Sequence, residues 1–525
     1  MSVSQSSSTS TRRWPASKAR QQLSVERLRS IGNQVRLPAF DPAALQPGIL
    51  HLGCGSFHRA HQALITQEAI EAEIASLTQI HRSALPSWGI VAASLVTPRV
   101  LHALAQQDGL YTVLERGPDG TRASVVGSLC DLVYAPDDHL RLMRTFAEPA
   151  IRIITVTVTL AGYCIDAVTG RLDVRHAQVR EDLRLAHPRT VIGVLVKGLA
   201  LRRDRGVAPP VILSCDNLPS NGRVLRRMCV DFAALQDDRL AQWIESAVQF
   251  PATMADRIVP LATAKDREDA TARLGLYDAV PVAAEPFRQW VIEHFDGPRP
   301  RWDAAGAEYV PDVTAWEASK LRLLNGGHLA LACLGALAGC TTVAEAMAVP
   351  GFSAFVLRFM LDEQKPTLPH SDHDIEAYAR QLLARWRNVG IAHRLDRVRR
   401  DGSAKLPTRL LASLRDNRNA GRPAPCTVLA VAAWMRCASG RDDAGRAIPL
   451  SDCFGVELQD KAAASAGNPG RLVDLLLDIE QIFGRDLATD AALRRSLKQA
   501  VATLQERGAR GAVAACVSGS ILDDD

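Results

Sequence analysis

The sequence predicts two domains, an α/β domain built on a parallel sheet followed by a mainly α-helical domain. The chain has 525 residues, and one hydrophobic core stops growing at roughly 250 to 300 residues. Short apolar runs alternate with helical spacing in the first half, whereas beyond Glu285 helical segments follow one another with polar breaks. We place the boundary near Val282, where the alternation ends.

The first half opens with a β–α–β pattern. Residues 48–53 form a short apolar run that ends in glycine, which predicts a buried strand. Helical spacing follows to about Leu77, and residues 88–96 predict a second strand. Strands joined by a helix in this way build parallel sheets. Further predicted elements are strands at residues 151–159 and 211–215 and a helix at residues 190–203.

The beginning and the second half of the chain complete the predicted organisation. Residues 1–20 are rich in Ser and Arg but lack the apolar stretch of a secretory signal. We expect a disordered leader over residues 1–36, the α/β domain over residues 37–282 and the helical domain over residues 283–525. The helices predicted in the second half span residues 319–337, 352–361, 374–386, 408–415, 428–437 and 471–482.

Composition and charge exclude several classes of protein. With 47% apolar and 23% charged residues, the chain has the make-up of a soluble globular protein. The formal net charge of +5 is small for this length, so we expect no nucleic-acid partner, and no window is apolar enough for a membrane span. The 11 cysteines include no Cys-x-x-Cys pair, which indicates neither a disulfide framework nor a thiolate zinc site and fits the cytoplasm.

A glycine turn separates the first predicted strand from the first predicted helix. It contains Gly53, Gly55, Ser56 and Phe57, and its glycines allow a tight turn and a close approach of the backbone to a pyrophosphate. His58 replaces the third glycine of the usual fingerprint, so an ordinary tight turn is the alternative. In its strand–turn–helix context, we interpret the turn as a binding site for NAD.

Two neighbouring features leave details of this site open. The second predicted strand runs into Thr97, Pro98 and Arg99 without the acidic residue that usually holds the adenosine ribose, so NADP is not excluded. His58 and His61 are three residues apart and could share a metal ion, but no third ligand is indicated, and we expect no metal.

Polar residues follow the strand predicted at residues 211–215. Asp216 and Asn217 stand at its carboxyl end, where ligands bind in open α/β sheets. Turn and helix-cap chemistry is the alternative for the stretch that ends at Gly222. Asn217 is the better candidate for a functional residue.

Lys320, Asn325 and His328 interrupt an otherwise apolar helical segment. At about 100° per residue, Asn325 and His328 lie within roughly 60° of each other, and the flexible Lys320 side chain can reach the same site. A lysine removed from water has a lowered pKa and can accept a proton, while an amide can donate to a developing alkoxide. The segment therefore indicates an alcohol-oxidising site, with a snorkelling lysine and a hydrogen-bonded core histidine as the alternative.

Several motifs in register resemble the polyol-specific long-chain dehydrogenase, or mannitol dehydrogenase, family over about residues 37–458. The resemblance implies a Rossmann-type nucleotide-binding domain, a largely helical substrate domain, and hydride transfer between NAD(P) and a secondary alcohol without catalytic zinc. The motifs that carry it are residues 53–61, 107–112, 214–222, 250–257, 320–328 and 401–407.

The resemblance also implies roles for individual residues. Lys320 would be the general base, Asn217 and Asn325 the amides that stabilise the alkoxide, and His328 a partner that orients the substrate. The other implied residues are Arg397 and Lys405 for substrate hydroxyls or a carboxylate, Asp256 and Glu317 for tuning or relaying the Lys320 proton, and Gly53, Gly55, Ser56, Phe57 and Asp216 for the cofactor. Surface or capping carboxylates are the alternative for Asp256 and Glu317.

Within the family, the motifs favour the hexuronate-acting fructuronate reductases over the mannitol 2-dehydrogenases, although Arg397 favours the latter. Leu160, Ala161 and Val389 depart from the family pattern. We expect an oxidoreductase acting on a hexuronate or polyol as a monomer or small homo-oligomer; a nucleotide-binding sensor or scaffold without turnover is the alternative from another class. The segments that favour the hexuronate branch are residues 285–290, 325–326, 393–394 and 434–435.

Overall fold

A computed structural model describes residues 21–76, 87–158, 160–166, 169–370 and 373–519. The strands in these ranges are β1 (Val35–Arg36), β2 (Pro47–Leu52), β3 (Gly89–Ser94), β4 (Tyr111–Gly117), β5 (Gly120–Val126), β6 (Leu129–Tyr134), β7 (Ile153–Val156), β8 (Val211–Ser214), β9 (Thr253–Asp256), β10 (Val282–Ala284), β11 (Gln289–Glu293) and β12 (Ala307–Val310). The helices before β10 are α1 (Ser56–Ala60), α2 (Gln62–Ser76), α3 (Arg99–Ala105), α4 (His139–Ala147), α5 (Ala177–Asp182), α6 (Val191–Asp204), α7 (Asn221–Ala234), α8 (Asp238–Ala247) and α9 (Ala264–Leu274).

Helices dominate the chain after β12. They are α10 (Thr314–Ser319), α11 (Gly327–Leu337), α12 (Val343–Ala348), α13 (Phe352–Arg358), α14 (Ile375–Trp386), α15 (Leu395–Arg399), α16 (Gly402–Leu406), α17 (Ala412–Asn419), α18 (Pro425–Cys437), α19 (Gly455–Ala464), α20 (Pro469–Leu477), α21 (Glu480–Thr489) and α22 (Ala491–Ser518). Three further segments have π-helical geometry: Lys320–Gly326, Phe359–Gln364 and Pro407–Leu411.

The first domain is built on a five-stranded parallel sheet in the order β6-β3-β2-β7-β8. Every residue of β7 and β8 is buried, as expected for parallel strands that are covered on both faces and therefore read as continuous apolar runs. The strands predicted at residues 48–53, 88–96, 151–159 and 211–215 correspond to β2, β3, β7 and β8, although Thr159 lies outside the described residues.

Two smaller sheets flank the parallel one. The antiparallel hairpin of β4 and β5 joins β1 and β10 in a four-stranded sheet, and β9, β11 and β12 form a three-stranded sheet. Strand structure thus continues to Val310, beyond the boundary placed near Val282. These strands were not predicted, because their burial depends on contacts with distant segments.

The second domain packs around α11, which is apolar on nearly all sides. Every residue of α11 is buried, and α18 and α22 pack beside it. A helix that is hydrophobic all round must lie inside the protein. The predicted fold class, an α/β domain of Rossmann type followed by a mainly helical domain, is confirmed.

Two sequence expectations need correction. The predicted leader is folded over residues 21–36: Leu23 is fully buried, its N–H donates to the Tyr277 carbonyl at 2.9 Å, and Val25–Ser30 forms a 3-10 helix. Residues 1–20 of that leader lie outside the described residues. The helix predicted at residues 471–482 is interrupted between α20 and α21.

Candidate active site

A cleft of about 1420 Å³ is lined by residues of both domains. The first domain contributes the ends of β8 and β9, and the second contributes the π segments that contain Lys320 and Arg409. The predicted residues that line the cleft are Phe57, Asn217, Asp256, Lys320, Asn325, His328, Arg397 and Lys405.

The Lys320 amine is held by two oxygen acceptors. Its Nζ donates to Asn217 Oδ1 at 2.9 Å and to the carbonyl oxygen of Ala255 at 2.6 Å. Burial lowers the pKa of Lys320, despite the nearby carboxylate of Asp256. An amine has one position left after two such donations, either a third proton or a lone pair. Lys320 can therefore exchange a proton with a ligand in the cleft.

The π-helical geometry of Lys320–Gly326 brings Lys320 and Asn325 onto one face. Hydrogen bonds in a π helix link residues five apart, so side chains five apart lie nearly above one another. At the α-helical rotation of about 100° per residue they would be roughly 140° apart. The sequence pattern predicts an α-helix here, and the structure corrects that expectation.

Asn325 and His328 carry buried polar atoms without partners. Asn325 Nδ2 and His328 Nε2 have no hydrogen-bond partner among the described residues. The His328 ring packs against Trp386 and His393, with centroid distances of 4.9 and 4.7 Å. Burial lowers the pKa of His328 well below its usual value, so the ring is neutral at pH 7. Because buried polar atoms need partners, these two atoms are available to a bound substrate.

Asp256 belongs to an ion network that the sequence did not reveal. Arg385 donates to Asp256 at 2.7 and 3.0 Å and to Glu285 at 2.7 and 2.9 Å. The Tyr378 hydroxyl donates to Asp256 at 3.4 Å. Burial by itself would raise the pKa of Asp256, but Arg385 holds it below its usual value. Asp256 therefore stays ionised and favours the protonated form of Lys320.

Two predicted cations line the cleft: Arg397, which lies in α15, and Lys405, which lies in α16. Lys405 Nζ donates to the carbonyl oxygens of Val398, at 3.2 Å, and Arg400. Burial lowers the pKa of Lys405 to about 8. The Arg397 side chain is exposed to solvent.

Arg409 is a cleft residue that the sequence analysis missed. It lies in the π segment Pro407–Leu411, which packs against the Lys320–Gly326 segment. A Cβ on Gly326 would lie 2.7 Å from the Arg409 carbonyl oxygen, so the glycine permits this close approach. The sequence feature that could have pointed to Arg409 is its position two residues after the motif at residues 401–407.

Glu317 and Asp216 border a second, much smaller cavity beside Lys320. Its volume of about 30 Å³ suits one water molecule. The Glu317 carboxylate accepts from the Ser220 N–H at 3.0 and 3.1 Å, and Asp216 accepts from the Tyr163 hydroxyl at 2.8 Å. Burial raises the pKa of each carboxyl group to about 7. Asp216 thus has internal partners and does not line the large cleft, and its role toward the cofactor stays a prediction.

The glycine turn joins β2 to α1 at the carboxyl edge of the parallel sheet. Gly53 has a φ of +105°, and a Cβ there would lie 2.0 Å from the Thr157 carbonyl oxygen, so the turn requires glycine. A Cβ on Gly55 would meet only the Gly53 oxygen, at 3.8 Å, which leaves the backbone open to a bound group. Ser56 begins α1, and Phe57 lines the cleft. These residues fit a dinucleotide pyrophosphate.

Two comparisons with family models match most of the chain. Residues 47–304 match the mannitol dehydrogenase Rossmann domain, and residues 312–505 match the mannitol dehydrogenase C-terminal domain. The chain belongs to the mannitol dehydrogenase family. The predicted resemblance and the predicted class of enzyme, a dehydrogenase, are confirmed.

Relatives in the mannitol dehydrogenase family include proteins named for different substrates. D-mannonate oxidoreductase of Escherichia coli is 39% identical over 488 residues, which cover 92% of this chain and 98% of the relative. Mannitol 2-dehydrogenase of Cereibacter sphaeroides is 38% identical over 480 residues, covering 90% and 97%. The solved structure of Pseudomonas fluorescens mannitol 2-dehydrogenase with NAD and D-mannitol superposes with a TM-score of 0.84 at 34% identity, covering 95% of this chain and 100% of that one.

Two positions that depart from the mannitol dehydrogenase family pattern are exposed. Leu160 is 63% exposed in a 3-10 turn and does not line the large cleft. Val389 is 88% exposed and does line it. Neither side chain replaces one of the buried polar groups around Lys320.

The described part of the chain presents neither a metal-ligand cluster nor a membrane-spanning helix. It contains no cluster of three or more His, Cys, Asp or Glu residues that could hold a metal ion. None of its helices is long and apolar enough to cross a membrane.

Proposed function

We propose that this protein is an NAD-dependent oxidoreductase that interconverts a secondary alcohol and a ketone in a sugar acid, with fructuronate and D-mannonate as the favoured pair. The observation that carries the proposal is the Lys320 amine, held by Asn217 and Ala255 in a cleft where Asn325 offers an unpartnered amide. This combination provides a base and donors to an alkoxide at one place.

The cofactor is proposed to lie on the glycine turn. Gly53 fixes the turn, and Gly55 leaves the backbone accessible to a pyrophosphate. NAD, when bound, accepts the hydride in alcohol oxidation and donates it in ketone reduction. The described end of β3 offers no acidic side chain for the ribose, so NADP remains an option to be measured.

Lys320 is proposed as the general base. In the oxidation direction its lone pair takes the hydroxyl proton, while Asn217 Oδ1 and the Ala255 carbonyl hold the amine in place. Because burial lowers the pKa of Lys320, the oxidation rate should rise with pH until the amine is deprotonated. Ketone reduction needs the protonated amine and should rise as the pH falls.

The two amides and the histidine are proposed to hold the reacting oxygen. Asn217 uses its oxygen for Lys320, so its Nδ2 remains to donate to the substrate. The free Nδ2 of Asn325 is a second donor, and neutral His328 can orient a hydroxyl through Nε2. Donors held in position before the reaction stabilise an alkoxide better than mobile water does.

The substrate assignment has a second candidate. The cleft is lined by several cations, among them Arg397, Lys405 and Arg409, which suit an acidic sugar, and the Escherichia coli relative is named D-mannonate oxidoreductase. A neutral polyol such as D-mannitol is the second candidate, because the solved mannitol 2-dehydrogenase superposes over 95% of the chain.

The deciding experiment follows NADH and NADPH absorbance with fructuronate, tagaturonate and fructose as oxidants. We expect oxidation of NADH by a hexuronate. Faster turnover of fructose would favour the mannitol 2-dehydrogenase candidate. If NADH binds but none of the three ketones is reduced, the catalytic proposal fails and the sensor or scaffold alternative is preferred.

A further inference from the structure

Arg409 is a half-buried cleft cation whose charge has no partner among the described residues. Its guanidinium makes no hydrogen bond or ion pair within the described residues, and burial alone lowers its pKa to about 10. A guanidinium that leaves part of its water without gaining a partner loses favourable solvation. An anionic ligand would remove that penalty.

The other charged groups nearby are already accommodated. Arg397 is exposed to solvent, and Lys405 donates to two backbone carbonyl oxygens. Both oxygens of the Asp256 carboxylate accept from Arg385, so Asp256 is engaged elsewhere. Of these cleft groups, Arg409 is the one with the most to gain from a ligand's negative charge.

The backbone sets the position of Arg409 relative to the reacting groups. The Arg409 carbonyl packs against Gly326, the residue after Asn325. Arg409, Lys320 and His328 line the same cleft, and the charge of Arg409 lowers the pKa of both other residues. A substrate whose carbinol oxygen reaches Lys320 can therefore present a second group to Arg409.

We propose that Arg409 binds the carboxylate of the substrate and thereby selects a sugar acid over a neutral polyol. The proposal rests on the proposed function, because it presupposes turnover at Lys320. A guanidinium offers two parallel N–H donors that match a carboxylate in geometry and charge. A neutral terminus leaves the half-buried Arg409 charge unpaired, so a site built for an acid discriminates against a neutral sugar.

The test combines a change in the protein with a change in the substrate. Oxidation of D-mannonate, its uncharged amide D-mannonamide and D-mannitol is measured with NAD for the wild type, Arg409→Met and Arg409→Lys. Arg415→Met is the matched control, since Arg415 follows in α17, pairs with Asp486 and lies outside the cleft.

We expect the wild type to oxidise D-mannonate about 100-fold more efficiently than D-mannonamide, as judged by kcat/KM. Arg409→Met should lose about 100-fold on D-mannonate, mainly through KM, and change the two neutral substrates by less than about threefold. The kcat/KM of Arg409→Lys for D-mannonate should lie between those of the wild type and Arg409→Met, because lysine keeps the charge but loses the paired donors. Arg415→Met should preserve the preference for the acid.

Other outcomes separate the failure of this inference from the failure of the proposed function. Equal losses on charged and neutral substrates, or unchanged D-mannonate kinetics in Arg409→Met, overturn the role of Arg409 and leave the proposed function standing. A wild type that prefers D-mannitol or does not distinguish the acid from its amide also overturns it. If no substrate is oxidised by the wild type, the proposed function itself fails. If Arg409→Met does not fold, two results still test the role of Arg409: the ratio of the wild-type kcat/KM for D-mannonate to that for D-mannonamide, and the kinetics of Arg409→Lys.

Discussion

Two sets of polar groups lie around Lys320, and they differ in whether the protein itself supplies their partners. We name them the anchored network, which consists of Asp256, Glu285 and Arg385, and the open wall, which consists of Asn325, His328 and Arg409. In the anchored network, Arg385 donates to both carboxylates at 2.7 to 3.0 Å. In the open wall, Asn325 Nδ2 and His328 Nε2 have no partner within the described residues.

This difference separates groups that hold the fold from groups that await a ligand. Removing one member of a buried ion pair leaves the other charge uncompensated, which destabilises the protein. Removing a polar group that has no partner in the protein takes away little stability, and functional sites commonly carry such groups at the expense of stability. Changes in the anchored network should therefore affect unfolding, whereas changes in the open wall should affect turnover.

The largest effect is expected at Lys320, which both sets adjoin. Lys320→Ala should lower kcat for alcohol oxidation by about 10³- to 10⁴-fold, because the proton acceptor is lost. NADH binding, followed by fluorescence titration, should change little. Lys265→Ala is the control, since Lys265 also lines the cleft but is exposed. A comparable loss of NADH binding or of folding in Lys320→Ala would contradict the assignment.

The second prediction concerns the anchored network. Arg385→Met should reduce the free energy of unfolding by about 3 to 5 kcal/mol, because Asp256 and Glu285 stay buried without their counter-charge. Urea denaturation measures the change. Arg380→Met is the matched control on α14, where an exposed pair with Glu376 should contribute less than about 1 kcal/mol. If the two variants unfold alike, the network does not stabilise the fold as we infer.

The third prediction concerns the open wall. Asn325→Ala should lower kcat by about 100-fold through loss of an alkoxide donor and leave the free energy of unfolding nearly unchanged. Asn388→Ala provides the contrast, because the Asn388 side chain bonds the Arg116 carbonyl and the Gly390 N–H at 2.7 and 3.0 Å. Paired kinetic and urea measurements on both variants test the distinction. If Asn325→Ala lowers the free energy of unfolding but leaves kcat unchanged, Asn325 holds the fold and does not serve the reaction.

The smallest effect is expected at Glu317, which belongs to neither set. Burial raises its pKa to about 7, above the value of about 4.3 in an unfolded chain. The contribution of Glu317 to the free energy of unfolding is therefore greatest below about pH 4.3, where the carboxyl group is protonated in both states. That contribution is lost as the pH rises toward 7, because the folded state holds its proton over this range while the unfolded state releases it. Glu317→Gln should accordingly gain stability relative to the wild type over this window, on the order of 1 kcal/mol.

Urea denaturation at a series of pH values measures the Glu317 effect. Glu376→Gln is the control of opposite sign, because a hydrogen bond from Lys365 lowers the pKa of Glu376. The Glu376 variant should lose stability relative to the wild type as the pH rises through the acidic range. A Glu317→Gln difference that does not vary with pH would show that Glu317 titrates normally.

The sequence could predict the elements whose signal is local. The buried runs that became β2, β7 and β8 read as strands because parallel strands are apolar on both faces. The hairpin of β4 and β5 and the helical stretch α22, which is kinked at Gly508, are not predicted. Leu23 was assigned to a disordered leader, although it is buried in an apolar cluster with Leu274 and Leu276, which are far away in the chain. Elements of this kind are stabilised by distant contacts, which local patterns do not report.

By itself, the sequence determined the fold class, the family and the identity of Lys320, Asn325 and His328 as the polar residues of an apolar segment. The tertiary structure decided that this segment is π-helical, which aligns Lys320 with Asn325. It also decided which charges are paired: Arg385 meets Asp256 across 129 positions of the chain, whereas Arg409 meets no carboxylate of the described residues. Residue type sets what a group can do, but burial and the availability of partners set its charge state and its function, and both arise only when distant segments pack together.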